Sequence, residues 1–231
     1  MKVVILAGGL GTRISEYTKS IPKPMIPLNG KPIIYYIMKH FYNHGIKNFY
    51  VAIGYKGIVL KDYFRKNKFQ WNVKLIETGQ KTMTGGRIKR LKKYIGNERF
   101  FMTYGDGLSD VNIRNLLKFH VKNKKLATLT AVRPPARFGK IKLNKKNNVT
   151  SFREKLSLDE GWINGGFFVL EPKVFSLIKS DKTFFEKEPL QKLSQRGQLK
   201  AYKHTKIWQC MDTVRDKEIL EKLLTKKKIK F

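Results

Sequence analysis

Two cations and two carboxylates are the residues of this chain whose types and settings could do chemistry. The stretch Leu6-Ala7-Gly8-Gly9-Leu10-Gly11-Thr12 runs into Arg13, and Lys23 follows between Pro22 and Pro24. Glycines let a backbone approach a bulky anion closely and leave its N–H groups free to donate. Arg13 and Lys23 add positive charge beside that cradle, a layout that suits a polyphosphate. Asp106 stands between Gly105 and Gly107, directly after the apolar run Phe100-Phe101-Met102-Thr103-Tyr104. A carboxylate freed by glycines at a strand end is a natural Mg²⁺ ligand. A turn aspartate bonding its own backbone has the same sequence. Asp212 precedes the last helical pattern, where aspartate is a standard N-cap. Its claim to chemistry rests on partnership with Asp106, because two carboxylates can hold one Mg²⁺ that bridges two phosphates.

Other chemistries find no support. A P-loop ends Gly-Lys-Ser/Thr, whereas this loop ends Gly11-Thr12-Arg13. A dinucleotide fingerprint needs a further glycine where Ile14 stands, and a ribose acid where no Asp or Glu occurs between Glu16 and Asp62. His40, His44, His120 and His204 lack metal-ligand spacing and are expected on helix faces or a strand surface. Cys210, the single cysteine, reads as a small buried residue rather than a nucleophile.

The elements that must position these groups alternate. Val3 to Leu6, Phe49 to Ile53, Val73 to Ile76, Phe100 to Tyr104 and Leu126 to Val132 read as strands. Between them, Ile33 to Phe41 (with Pro32 at the first helical position), Ile58 to Lys66, Ile88 to Tyr94 and Ile113 to Val121 read as helices. After Pro134-Pro135 the rhythm changes to strands over Lys140 to Leu143, Val149 to Arg153, Phe167 to Leu170 and Leu199 to His204. Helices are expected over Val174 to Lys179, Leu190 to Gln195 and Thr213 to Leu224. The fold class is α/β: a doubly wound, mostly parallel, Rossmann-like sheet with helices on both faces and a small mixed or antiparallel β extension. We expect one domain over residues 1–231, with an alternating core over about 1–133 and a second part with the terminal helix over about 134–231. Ligands of such sheets bind at the carboxyl ends of the strands, where the glycine loop, Thr78-Gly79 and Gly105-Asp106-Gly107 should meet.

The 231 residues are 41% hydrophobic, which argues against disorder. No apolar run reaches membrane-spanning length, no signal peptide is evident, and one cysteine excludes an internal disulfide framework. A cytoplasmic protein is expected. The formal charge of +32 fits a lysine-biased surface that draws in anionic substrates. The charge also leaves a nucleic-acid-binding protein as the different-class alternative, although no aromatic RNA-binding signature or recognition helix accompanies it.

The glycine loop, Pro22-Lys23-Pro24-Met25, Gly30-Lys31-Pro32, Gly105-Asp106-Gly107, Glu154-Lys155, Asn164-Gly165-Gly166-Phe167-Phe168 and Met211-Asp212-Thr213 occur in one order. Together they resemble the sugar-1-phosphate nucleotidyltransferases, nearly end to end. Thr82-Met83-Thr84-Gly85-Gly86-Arg87-Ile88-Lys89-Arg90 is similar to the cytidylyltransferase branch of that family. The resemblance implies CTP and a sugar 1-phosphate, glucose 1-phosphate first, as substrates, with CDP-glucose and pyrophosphate as products. A relative using UTP, dTTP or another phosphorylated acceptor is the same-class alternative. Leu6, Ala7, Gly8, Gly9, Leu10, Gly11, Thr12 and Arg13 would wrap the nucleotide, Lys23 would stabilise the α-phosphate, and Gly105 would touch the nucleoside. Thr82 and Arg87 would read cytosine, whose O2 and N3 can accept from a guanidinium fork. Asp106 and Asp212 would hold Mg²⁺. Lys155 would hold the sugar phosphate, with Glu154, Asn164 and Gly165 at the sugar. The resemblance also implies a homo-oligomer, and neither nucleic acid nor membrane as partner. The segment between Phe64 and Trp71 is shorter than in close family members, and Leu156 and Cys210 stand where proline is typical.

Overall fold

Val3-Val4-Ile5-Leu6 is apolar on both sides, so its strand must be covered on both faces. In the computed structural model, which describes residues 1–134, 139–153 and 161–229, this segment is the strand Lys2–Ala7. It lies inside a seven-stranded sheet of order Leu199–Lys203, Ala127–Val132, Ile163–Leu170, Phe100–Tyr104, Lys2–Ala7, Asn48–Ile53, Asn72–Glu77. Strands from residues 1–133 and from residues 134–231 share this sheet. Six strands run one way and Ile163–Leu170 runs against its neighbours.

The alternation of side chains sorts the core into two layers. Val3, Ile5 and Ala7 meet Ile33, Ile34, Ile37 and Phe41 of the helix Ile33–Asn43, with Leu116 of Ile113–Asn123 and Leu220 of Val214–Thr225. Val4 and Leu6 meet Ile88, Leu91 and Ile95, together with Leu190 and Leu193 of Glu188–Gln195. Helices therefore cover both faces, as doubly wound patterning requires. The extension consists of the antiparallel hairpin Lys140–Leu143 with Val149–Arg153, and of smaller antiparallel pairs.

Several boundaries differ from the sequence reading. The segment Ile88 to Tyr94 is two helices, Thr84–Arg90 and Lys92–Ile95, parted at Leu91. The first begins early because Gly85 and Gly86 let its backbone press on a neighbouring loop, where a Cβ at Gly86 would lie 2.5 Å from Asp181 Cα. Val174 to Lys179 is a 3₁₀ segment, Pro172–Leu177. Pro32 is extended, and its helix starts at Ile33. His40 and His120 lie on helix faces as expected, but on buried ones, and His204, just past Leu199–Lys203, is buried too; each has a hydrogen-bond partner.

His40 makes the fold pH-sensitive. Its Nε2 donates to the Val111 carbonyl at 2.8 Å, and burial, aided by His44, pushes its pKa down from 6.5 to about 4. Between those values the unfolded chain binds more protons, so stability rises with pH through this window and is lost as pH falls through it. We expect this group to remove about 3 kcal/mol between neutral pH and pH about 4. His40→Gln, which keeps a donor for Val111, should flatten that part of the denaturation-against-pH curve. An unchanged slope would count against the assignment.

Candidate active site

Strand topology brings the chemistry-bearing residues to one edge. The ends of Lys2–Ala7 and Phe100–Tyr104 lie side by side, with Leu6 opposite Tyr104. Gly105 donates its N–H to the Leu6 carbonyl at 3.0 Å. A Cβ at Gly105 would lie 2.8 Å from the Pro24 ring. The glycine therefore lets the loop that carries Lys23 close over the strand end. Ile163–Leu170 is antiparallel, so its first residues, Asn164 and Gly165, reach the same edge that its neighbours reach with their last. Gly166 bends there at φ +84°, and a Cβ would lie 2.7 Å from the Tyr104 ring.

Asp106 and Asp212 meet through a strand pairing. Trp208–Cys210 runs antiparallel to Gly107–Ser109, with Cys210 opposite Gly107, and Met211 N donates to the Asp106 carbonyl at 2.8 Å. Asp212 is not the cap of the last helix. Thr213 is, in a capping box with Asp216. The Asp216 carboxylate also accepts from the Asp212 N–H at 3.1 Å. The Asp212 side chain is thereby free for the cavity.

Lys23 is the point on which both carboxylates converge. Its Nζ donates to Asp106 Oδ2 at 2.7 Å and to Asp212 Oδ1 at 2.6 Å. Its side chain is only 9% exposed. Burial alone would lower its pKa, but Asp106 and Asp212 outweigh burial and hold it above the usual lysine value. Burial likewise favours the neutral form of Asp212, yet Lys23 and Arg13 hold that carboxyl below its usual range. Arg13, exposed at the end of the glycine loop, donates to Asp212 Oδ2. The four groups, two cations and two carboxylates, form a charge-balanced cluster. An arriving polyphosphate can take its cations and an arriving divalent cation its carboxylates. Burial, with Asp212 and Asp106, pushes the Cys210 thiol up to about 12, so Cys210 lines the cavity without being a nucleophile.

The cavity beside this cluster has a volume of about 650 Å³. Leu6 through Arg13, Lys23, Thr82, Arg87, Gly105, Asp106, Asn164, Gly165 and Asp212 all line it. Glu154 and Lys155 lie outside the described residues. The glycines serve different ends. Gly9 faces open space, as a ligand cradle needs. Gly8 is small because a Cβ would overlap the Arg87 guanidinium. Arg87 is 4% exposed and already engaged. Its Nη1 donates to Thr78 Oγ1 at 2.6 Å and to the Gly79 carbonyl at 2.9 Å, and its Nη2 donates to the Gly8 carbonyl at 2.8 Å. It ties the glycine loop to the loop after Asn72–Glu77, and at the cavity wall its fork is engaged by Thr78 Oγ1 and by backbone oxygens.

The lining residues given no role by sequence reasoning include Thr84, Tyr104, Glu186 and Trp208. Trp208 Nε1 donates to the Gly165 carbonyl at 2.8 Å. Glu186 accepts from Tyr104 and Thr84. Tyr104 could have been suspected from its place beside Gly105-Asp106, whereas Phe184-Phe185-Glu186 carries no local signal.

Among the described residues, no set of three or more His, Cys, Asp and Glu side chains could hold a metal ion. Two carboxylates converging on one point nonetheless fit a hard cation that takes its remaining oxygens from phosphates and water. Among the described residues, no helix is long and apolar enough to cross a membrane.

Residues 2–221 match the family model described as nucleotidyl transferase. The chain is 47% identical to the glucose-1-phosphate cytidylyltransferase of Salmonella typhimurium, over 99% of this chain and 97% of that protein. It is 40% identical to the probable glucose-1-phosphate cytidylyltransferase of Bacillus subtilis, over 94% of this chain and 93% of that one. The crystal structure of HddC from Yersinia pseudotuberculosis, also solved complexed with GMP-PN, superposes with a TM-score of 0.77 at 27% identity, covering 96% of this chain and 99% of that one. Sequence, fold and the charged cleft at the strand ends agree, and the chain belongs to the nucleotidyl transferase family.

Proposed function

We propose that this enzyme transfers the cytidylyl group of CTP to glucose 1-phosphate, giving CDP-glucose and pyrophosphate. The observation that carries the chemistry is the meeting of Lys23, Arg13, Asp106 and Asp212 beside an open glycine loop. The substrate pair rests on the names of relatives that match this chain over nearly its whole length.

A sugar-phosphate oxygen attacks the α-phosphorus and pyrophosphate leaves in line. Such a reaction needs positioning and charge neutralisation rather than a protein nucleophile. The backbone from Leu6 to Thr12 and the Gly105 backbone hold the nucleotide. Arg13, exposed and hinged at the loop end, turns from Asp212 to the triphosphate. Lys23 turns from the carboxylates to the α-phosphate, where charge accumulates in the transition state. Asp106 and Asp212 would then be free to hold Mg²⁺, which would supply neutralisation of the phosphate charge. Thr82 stands at the base end, and Arg87 sets base choice by fixing the Gly8 and Gly79 backbone. Asn164 and Gly165 take the sugar, with Glu154 and Lys155 assigned to its phosphate end on resemblance. We place the reaction in the cytosol, with its nucleotide.

CTP labelled at the α-phosphorus tests the reaction class. The label should appear in a sugar nucleotide and never in pyrophosphate, whereas γ-label should appear only in pyrophosphate. Release of inorganic phosphate would show a hydrolase, and γ-label on the sugar phosphate would show a kinase; either would overturn the reading.

A further inference from the structure

Glu186 lies in the cavity wall outside every role assigned above. Its Oε1 accepts from the Tyr104 hydroxyl at 2.6 Å, and its Oε2 accepts from Thr84 Oγ1 at 2.5 Å. Thr84 Oγ1 in turn accepts from the Phe185 N–H at 2.9 Å. On the other side, Asn164 Nδ2 donates to the Tyr104 oxygen at 3.3 Å, while Asn164 Oδ1 accepts from the Gly166 N–H at 2.9 Å. The donors therefore run in one direction: from Asn164 through Tyr104 to the Glu186 carboxylate, and from Phe185 through Thr84 to the same carboxylate.

This direction has a consequence for Asn164. A phenol has one hydrogen, and Glu186 takes it, so the Tyr104 oxygen can only accept from Asn164. The amide must present Nδ2 to Tyr104 and Oδ1 to Gly166. A flipped amide would set its oxygen against the Tyr104 oxygen and its NH₂ against the Gly166 N–H. In the fixed orientation one amide N–H and one oxygen lone pair remain for a ligand, each on a defined side.

We propose that Glu186 is a positioning residue for the acceptor: through Tyr104 it fixes which end of the Asn164 amide faces the cavity, and thereby which arrangement of sugar hydroxyls is accepted. The inference rests on the reading that a sugar 1-phosphate lies against Asn164 and Gly165. Without Glu186 the Tyr104 hydrogen can turn to Asn164 Oδ1, the amide can flip, and a sugar of the other hydroxyl configuration loses less than before. Glucose 1-phosphate and its galactose epimer, which differ at one hydroxyl, read this out.

The test is steady-state kinetics of wild type, Glu186→Ala, Glu186→Gln and Tyr104→Phe, with the sugar 1-phosphate varied at saturating CTP and CTP varied at saturating sugar 1-phosphate. Glu186→Ala and Tyr104→Phe should each raise KM for glucose 1-phosphate about tenfold. They should also shrink the glucose-to-galactose ratio of kcat/KM while changing KM for CTP less than about twofold. Glu186→Gln, which keeps an oxygen for Tyr104, should recover most of the loss. The double variant should be no worse than either single one, because both changes cut the same path. If Glu186→Ala does not fold, Glu186→Gln and Tyr104→Phe decide alone. A sugar KM and epimer ratio unchanged in the folded variants, or a CTP KM that rises as much as the sugar KM, overturns the proposal while the function stands. A wild-type enzyme inactive with every sugar 1-phosphate overturns the function and this assignment with it.

Discussion

Asp106→Asn should lower kcat by about three orders of magnitude and leave the fold intact. The side chain is partly exposed, and among the described residues it is held by the ion pair to Lys23 Nζ at 2.7 Å. The Asp106 contribution to the strand pairing is its main-chain carbonyl, which accepts from Met211 N and survives in the variant. Asparagine has nearly the same shape. It removes one negative charge from a cluster of two cations and two carboxylates, and with it half of the charged ligand set proposed for Mg²⁺. Substrate binding draws on the glycine loop and Arg13, so KM should move far less than kcat. Turnover at saturating Mg²⁺ and both substrates, with thermal melting as the control for folding, checks this. Turnover close to wild type would remove Asp106 from the mechanism.

Lys23→Met should cost about 10²- to 10³-fold in kcat and should also change how stability responds to pH. Lys23 is nearly buried between the two carboxylates, with its Cβ close under Gly11. Its loss leaves Asp106 and Asp212 converging on an apolar side chain, with Arg13 and the Cys210 thiol still on Asp212. Two carboxylates without their shared cation repel, so one binds a proton more tightly in the folded state than when unfolded. The linkage sign follows: the variant should gain stability as pH falls through that raised value. In the wild type Asp212 is held below its usual range, so its contribution is present above the ordinary carboxyl value of 3.8 and is lost as pH falls through the lower one. Lys23→Arg should not rescue activity, because a planar fork does not fit where a compact ammonium is enclosed by Gly11, Asp106 and Asp212. Melting curves at several pH values, beside kcat, separate the effects. Parallel pH profiles for wild type and variant would refute the charge argument.

The sequence makes local chemistry legible and long-range geometry much less so. The run Phe100 to Tyr104 and the glycines around Asp106 are local facts, and the structure starts and ends that strand where the pattern does. The meeting of Asp106 with Asp212 depends on pairing Gly107–Ser109 with Trp208–Cys210. That ladder joins residues about a hundred positions apart, and a three-residue strand leaves no periodicity to read. Asp212 and Thr213 are both good cap residues, and only Asp216, three residues beyond Thr213, decides between them. Arg87 has a structural side that is equally hidden. A cation beside glycines reads as a ligand group, and nothing local shows that Gly8 and Gly54 are small partly so that this guanidinium can also be held against backbone oxygens. The buried histidines are invisible because their partners, Val111, Thr128 and Asp110, come from other elements. Glu186 reaches Tyr104 across a contact of the same long-range kind.

The claim that most needs testing is that this cleft joins CTP to glucose 1-phosphate. Pyrophosphate release should be measured for CTP, UTP, dTTP and GTP, each against glucose 1-phosphate and other sugar 1-phosphates, with the sugar nucleotide identified by mass. The account predicts that CTP with glucose 1-phosphate has the highest kcat/KM of the grid, by about tenfold or more over UTP and dTTP, and gives CDP-glucose in equal amount to pyrophosphate. Equal use of CTP, UTP and dTTP, or no turnover with glucose 1-phosphate beside rapid turnover with another acceptor, would contradict it.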